Sequence, residues 1–324
     1  MTGAVVALSV GLALGLTSCG GEGGAASGDC KPADKLTIAY QPGLGYASLL
    51  IARQEKTLED ALPDVEVTWQ ELNSGSAIRD GIIGGNLQVG AGGIGPFLVG
   101  LDAGVDWKVI SGLNDMSLYL NAMDPDITSL EDLEGAGSIA MPAPDSIQSV
   151  ILRKGAEEEL GDAKALDSQI VSLGHPDGVQ ALIGGQLAAH LTSPPFQEQE
   201  IDEGAHKLLA SYDLFGEHTF NSIFTETEFA DCNPKVIDAL VTAVADANAM
   251  LTDKPADAAK VLAAELDLPA DEVEEQITSD DVSFVNTPKG FGAFAEFMRS
   301  IGMIKKVPET KDMFYDTEAT ADAS

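Results

Sequence analysis

From residue 36 onward, short apolar runs alternate with longer runs whose apolar positions recur every three or four residues. Residues 36–40 predict a strand and 46–56 a helix. Val65, Val67 and Trp69 alternate with Glu66, Thr68 and Gln70, the pattern of a half-buried strand. A short helix follows over 76–84, with Ile78, Ile82 and Ile83 on one side. Then come a strand at 87–91, a helix at 96–103 with Pro96 near its start, and a strand at 108–113. Strands separated by helices imply parallel pairing in an α/β sheet.

The alternation restarts after Leu118-Tyr119-Leu120. A helix starts at Ser129, followed by a strand at 138–141, a helix at 146–160, a strand at 169–173, a helix at 177–184 and a strand at 187–191. The order of elements repeats that of the first stretch. Ile83-Gly84-Gly85-Asn86-Leu87 recurs 100 residues later as Ile183-Gly184-Gly185-Gln186-Leu187. Each copy leads through a strand and a small-residue loop to Pro-Phe, at Pro96-Phe97 and Pro195-Phe196. Two similarly built lobes explain this; the alternative is chance recurrence of a helix, Gly-Gly and a strand. The last third reads as a strand at 220–229 and helices at 235–251, 255–266, 269–278 and 289–301, a tail that packs around the sheets already made.

The amino terminus changes the setting. Residues 1–18 carry no charge, and the apolar stretch at 4–16 is shorter than the ~20 residues that span a bilayer, so it reads as a signal peptide. It ends in Leu16-Thr17-Ser18-Cys19, which resembles the bacterial lipobox, with Cys19 as the lipidated residue. A Gly/Ala/Ser-rich tether follows, to residue 33. In an oxidising compartment the two remaining thiols, Cys30 and Cys232, predict a disulfide, two unrelated thiols being the alternative. Bonding them would bring 220 onward back to the first lobe.

Composition narrows the function. The formal charge of −34 excludes most nucleic-acid binders, which need a basic face to displace counterions from phosphate. The four histidines lie too far apart for metal-ligand spacing, so no metal site is expected. Gly90 to Gly95 fits GxGxxG, but on the third strand of its lobe. Glycines here would let backbone amides approach a ligand, with the following helix N-terminus favouring an anion. The strand-to-helix loops, where open α/β sheets bind ligands, hold Gly, Pro, Ser, Asn and Gln, and none contains Lys or Arg. A ligand there would rest on amides, hydroxyls and helix termini. Asp115 and Asp145 could meet an ammonium group or be solvated turn residues. His175 reads as a turn histidine; no nucleophile elbow or triad is visible, and no cofactor is expected.

Several segments in order carry a family resemblance: 36–40, 83–90, Gly95-Pro96, 108–113, 130–135 and Thr192-Ser193-Pro194-Pro195-Phe196. They resemble the substrate-binding proteins of nitrate/sulfonate/taurine-type ABC importers, over about residues 34–306. The resemblance implies an α/β, two-lobed type II periplasmic-binding-protein fold with a ligand cleft between the lobes and a helical C-terminal segment. Lobe 1 would take 34–118 and 220–324, and lobe 2 would take 119–219. The implied protein is a monomeric solute-binding lipoprotein on the outer face of the cell membrane, held there by lipid alone. It would capture a small organic anion or zwitterion and deliver it to an ABC permease and ATPase. Candidate ligand contacts are Gln41, Tyr46, Ser74, Ser76, Gly93, Gly95 and Asn114, facing Ser146, Gln148, Ser193 and Phe196. Tyr46 and Phe196 could flank an apolar body. The rivals are an exported enzyme on the same fold, with His175 or an acidic residue as base, and a sensory lipoprotein without transport.

Overall fold

Eleven strands in two sheets are laid down in the described part of the chain. The computed structural model describes Cys30 and residues 32–324, and 32–324 form one compact unit. The expected signal peptide over 1–18, the expected lipidation site Cys19 and the expected tether up to residue 29 lie outside the described residues. Strands β1 (Lys35–Tyr40), β2 (Glu66–Glu71), β3 (Val89–Gly93) and β4 (Trp107–Met116) build the first sheet. The chain crosses and forms β5 (Tyr119–Ala122), β6 (Ile139–Met141), β7 (Ile170–Ser172), β8 (Ala189–Leu191) and β9 (His206–Ala210), the second sheet. It then returns with β10 (Thr219–Glu226) and the short β11 (Val282–Ser283) to complete the first.

The first sheet runs β11-β4-β10-β3-β1-β2 and the second β7-β6-β8-β5-β9. Without β11 the two orders superpose: β2-β1-β3-β10-β4 on β7-β6-β8-β5-β9. The expectation of wholly parallel pairing is corrected here. β1 pairs in parallel with β2 and β3, and β6 with β7 and β8. β10, however, runs antiparallel between β3 and β4, and β5 antiparallel between β8 and β9. These two strands arrive from the other sheet instead of from a covering helix, so no right-handed crossover dictates their direction.

The Gly-Gly repeat is a repeat of helix ends. The helices Gly75–Ile83 and His175–Ile183 stop with Gly85 and Gly185, both at φ +68°, where a side chain would be strained. Gly84 N–H bonds Asp80 O at 2.9 Å and Gly184 N–H bonds Gln180 O at 3.0 Å. Ile78 and Ile82 are buried as expected, but Ile83 is 57% exposed, because the helix ends on the turn that would have buried it.

Element existence was read better than element edges. β3 starts two residues later than expected, since Leu87 N–H still bonds Gly81 O in the turn after the helix. The expected helix at 46–56 is instead Ala47–Gln54 and Thr57–Ala61, broken at Lys56 with φ +57°. β9, β11 and the helix Ser211–Phe215 are additional. The tail helices Pro234–Asp253 and Pro255–Leu266 pack on Ala47–Gln54. Phe291, at the start of Phe291–Ser300, meets Phe97 edge-on at 6.0 Å, while Phe97 stacks on Trp107 at 5.5 Å. Cys30 and Cys232 both stand in disulfide linkage, and Ala33 N–H donates to Asn233 Oδ1 at 2.7 Å.

GxGxxG is not a phosphate loop. Gly90, Gly92 and Gly93 lie within buried β3, and a Cβ on Gly90 would stand 2.6 Å from Ile78 and 2.8 Å from Phe224. The glycine lets helix Gly75–Ile83 and β10 close over the strand. Gly90→Ala is therefore expected to lower unfolding stability by about 1–3 kcal/mol through overpacking, read by urea denaturation.

Candidate functional site

A small cavity lies where the carboxyl ends of β1, β3 and β6 face one another. From the first sheet come Gln41, Tyr46, Gly75, Gly93 and Pro96, joined by Phe220 and Asn221 on β10. From the second come Pro142, Ser146, Ile147, Gln148 and His175. Its free volume is about 10 Å³, room for about one water. The two walls already meet, and a solute enters only when they part.

On the first wall, β1 ends at Tyr40 and the chain turns through Leu44–Tyr46. Gln41 Nε2 donates to Tyr46 Oη at 2.5 Å, and Tyr46 Oη donates to Asn221 Oδ1 at 3.1 Å. Burial holds the Tyr46 phenol far above its ordinary pKa, so it stays a donor. Asn114 Nδ2 and Asn221 Nδ2 both donate to Gly45 O, at 2.6 and 3.3 Å. A Cβ on Gly45 would lie 2.5 Å from Asn221 Nδ2 and 2.6 Å from the Phe220 ring, which explains the glycine.

On the second wall, Ser146 caps the helix Ile147–Leu160, its Oγ accepting from Ser149 N–H at 3.2 Å. Gln148 Nε2 meets His175 Nε2 at 3.3 Å, and His175 Nδ1 meets Thr192 Oγ1 at 2.9 Å. With the Gln148 amide donating, the network assigns the ring proton to Nδ1. The ring stacks on Phe196 with centroids 5.6 Å apart. Burial, reinforced by neighbouring His190, holds His175 well below its ordinary pKa, so it is neutral at physiological pH.

Behind His175 lies a second buried group. His190 Nδ1 is 2.5 Å from Glu200 Oε1, and Asn121 Nδ2 donates to Glu200 Oε2 at 3.0 Å. Burial pushes the Glu200 carboxyl up to about 8 and His190 down to about 3. At pH 7 both groups are therefore mainly uncharged, the protonated carboxyl facing His190 Nδ1.

No residue lining the cavity is charged. Four helices, Gly75–Ile83, Ile94–Asp102, Ile147–Leu160 and His175–Ile183, begin on its wall. Each presents first-turn N–H groups and the positive end of its dipole. The arrangement hydrogen-bonds a small polar or anionic group through amides and neutral side chains. It offers no nucleophile–base pair with an orienting third group. Among the described residues, no cluster of three His, Cys, Asp or Glu could hold a metal ion, and no helix is long and apolar enough to cross a membrane.

Of the expected contacts, Gln41, Tyr46, Gly93, Ser146 and Gln148 line the cavity. The other six do not. Ser74 spends its hydroxyl capping Ala77 N–H, and Ser76 donates to Asp145 Oδ1 at 2.6 Å. Gly95 packs against the backbone at 145–147, and Asn114 lies beneath the cavity. Ser193 is buried, its carbonyl accepting from Phe196 N–H at 2.9 Å. Phe196 lines an adjoining groove with Pro42 and Pro195 and supports His175, so it does not pair with Tyr46. Asp115 and Asp145 are neither solvated nor free for an ammonium group: Asp115 pairs with Lys289 and Asp145 with Arg79. Sequence reasoning missed Phe220 and Asn221; it places His175 in a cleft loop but as a turn histidine, whereas the ring lines the cavity. The one available signal was the polar pair Asn221-Ser222 set between the apolar Phe220 and Ile223 of the strand.

Two sheets of one strand order, linked by crossings at 116–119 and 210–219 and walling a cavity between them, make a periplasmic-binding-protein fold. Residues 29–266 match the NMT1-like family, and the chain belongs to that family. A protein of Bacillus subtilis (strain 168) named for binding aliphatic sulfonates is 33% identical over 123 residues, 37% of this chain. That match takes in 36% of the relative's own length. Among solved structures, the alkanesulfonate-binding protein SsuA from Xanthomonas axonopodis pv. citri, bound to MOPS, is similar with a TM-score of 0.69 and 20% identity. The similarity covers 86% of this chain and 96% of that one. The periplasmic nitrate-binding protein NrtA from Synechocystis PCC 6803 gives a TM-score of 0.72 at 13% identity, covering 86% and 84%.

The buried pair has a pH signature. The folded-state pKa of Glu200, about 8, lies above its ordinary 4.5, so its contribution is full below pH 4.5 and is lost as pH rises through 8. The lowered histidines act oppositely, losing stability as pH falls below 6.5. Glu200→Gln should therefore gain several degrees in melting temperature relative to wild type between pH 5 and pH 8, read by thermal melts across that range.

Proposed function

We propose that this protein is an extracytoplasmic solute-binding protein of an ABC import system. It captures a small anion or zwitterion of the sulfonate, taurine, nitrate or carboxylate class and delivers it to a permease driven by an ATPase. Lobe 1 (34–118 and 220–324) and lobe 2 (119–219) part to admit the solute and close over it. One observation carries this reading: an uncharged, buried cavity, walled from both sheets, onto which four helix N-termini open with no basic side chain. The relatives' names, all binding proteins for sulfonates or nitrate, agree with that chemistry.

Gln41, Tyr46, Asn221, Gln148 and His175 supply the side-chain hydrogen bonds, and Gly93 and Ser146 expose helix-terminal amides. Residues 1–18 act as a signal peptide, and lipid on Cys19 anchors the monomer to the outer face of the membrane. Cys30 bonds Cys232, which the Ala33–Asn233 contact beside both favours. Carboxymethylation without reductant should label neither residue; two labelled thiols in the mature protein would sink the pairing.

The main test is a thermal-shift and calorimetric screen of nitrate, methanesulfonate, taurine, acetate and pyrimidines, with turnover monitored in parallel. At least one anion or zwitterion should bind without product. Asn221→Ala and Gln148→Ala should each weaken it about tenfold or more by leaving its polar atoms unpaired. Product formation lost in His175→Ala would replace this reading with an enzyme.

A further inference from the structure

We infer that Arg79 and Ser76 are positioning residues that hold the cleft shut by gripping Asp145 from the opposite wall, so that closure depends on a carboxylate the protein itself supplies. This rests on the capture reading above. Asp145 stands on the loop between β6 and the helix Ile147–Leu160, one residue before the cavity's Ser146. Its Oδ1 accepts from Ser76 Oγ at 2.6 Å and its Oδ2 from Arg79 Nη1 at 2.5 Å. Both partners lie on Gly75–Ile83, Ser76 in its first turn, so Asp145 also sits at the positive end of that helix.

Charge makes this contact matter. The chain carries −34, and the walls also meet along a groove lined by Glu198 and Asp202 on one side and Glu272 and Glu275 on the other. Repulsion there favours opening. Among the described residues, only two ion pairs join 119–219 to the rest, Arg79–Asp145 and Lys289–Glu217. Glu217 is 74% exposed, which leaves its pair little strength, whereas Arg79 and Asp145 are 17% and 22% exposed. Shape agrees with charge: a Cβ on Gly95 would lie 2.7 Å from Asp145 O and 3.0 Å from Ile147 N. The walls approach this closely only because Gly95 has no side chain.

Neither Arg79 nor Ser76 lines the cavity, so they act on a solute through the cleft. Gripping Asp145 fixes Ser146 and the amides of the helix behind it.

Hydrogen–deuterium exchange of the full mature protein, with no solute added, tests this apart from the binding reading. In Arg79→Ala and in Asp145→Asn, amides at 93–97 and 145–150 should exchange about tenfold faster, with β1 unchanged. The variant-to-wild-type ratio should fall toward one in 1 M NaCl, which screens the ion pair. Gly95→Ala should accelerate the same segments with a ratio that salt does not alter. Unchanged exchange in both charge variants, or a ratio insensitive to salt, would overturn the latch even if every solute in the screen binds. A screen in which nothing binds, with the exchange result as expected, would instead leave the latch standing and remove the solute.

Discussion

The molecule depends on the antiparallel insertion of β10 between β3 and β4. That strand arrives from the second sheet and closes the first, with Phe224 tilted against Phe97 and edge-on to Trp107 in the main aromatic core. It also carries Phe220 and Asn221 to the cavity wall. At its start, Thr219 Oγ1 donates to buried Asp115, which Lys289 also holds. Fold completion, the crossing and the cavity thus share one eight-residue strand. β5 answers it in the second sheet, inserted the same way between β8 and β9. Because each sheet is finished by a strand sent from the other, neither is complete until both crossings are made.

A charge of −34 on the chain and an uncharged cavity are two aspects of one arrangement. A fixed lysine in a buried cavity would need a counter-charge whenever the cleft closed without solute, because an isolated buried ion is strongly disfavoured. Helix dipoles and neutral amides avoid that penalty: their polarity is permanent, and they are solvated by their own helices. Burial extends the logic to Glu200, which would be ionised in water and is kept mainly neutral here, and to His175 and His190, which it keeps from taking up a proton. The inside of the cleft is polar without being charged, and the acidic excess stays at its rim and on the surface.

Much of this was legible in the sequence. The strand and helix order, the 100-residue repeat and the loops that reach the cavity follow from apolar periodicity and Gly/Pro punctuation, which are local signals. What stayed hidden is what local signals lack. The direction of β10 depends on where the chain has been, not on the residues of the strand. Asn221 sits in the cavity because of that pairing, and His175 because its helix begins two residues earlier than Asp177, the expected start. Ser76 and Gly95 were placed in the right loops with the wrong partner. Their loops face Asp145 and its neighbours across the cleft, a relation 50 or more residues apart in sequence that no periodicity encodes.

The repeat then explains why the cleft is lined as it is. Helices ending at Gly85 and Gly185 enter their next strands through the same left-handed turn, and so start from equivalent places in their sheets. Equivalent starts put the N-termini of Gly75–Ile83 and His175–Ile183 at equivalent edges, and the crossings turn those edges to face each other. A duplicated helix–Gly-Gly–strand unit, folded back on itself, therefore brings positive helix ends together from both sides without any residue chosen for its charge. Such a convergence repels itself open unless an anion lies between, and at the Gly75–Ile83 end that anion is Asp145, a carboxylate built into the opposite wall.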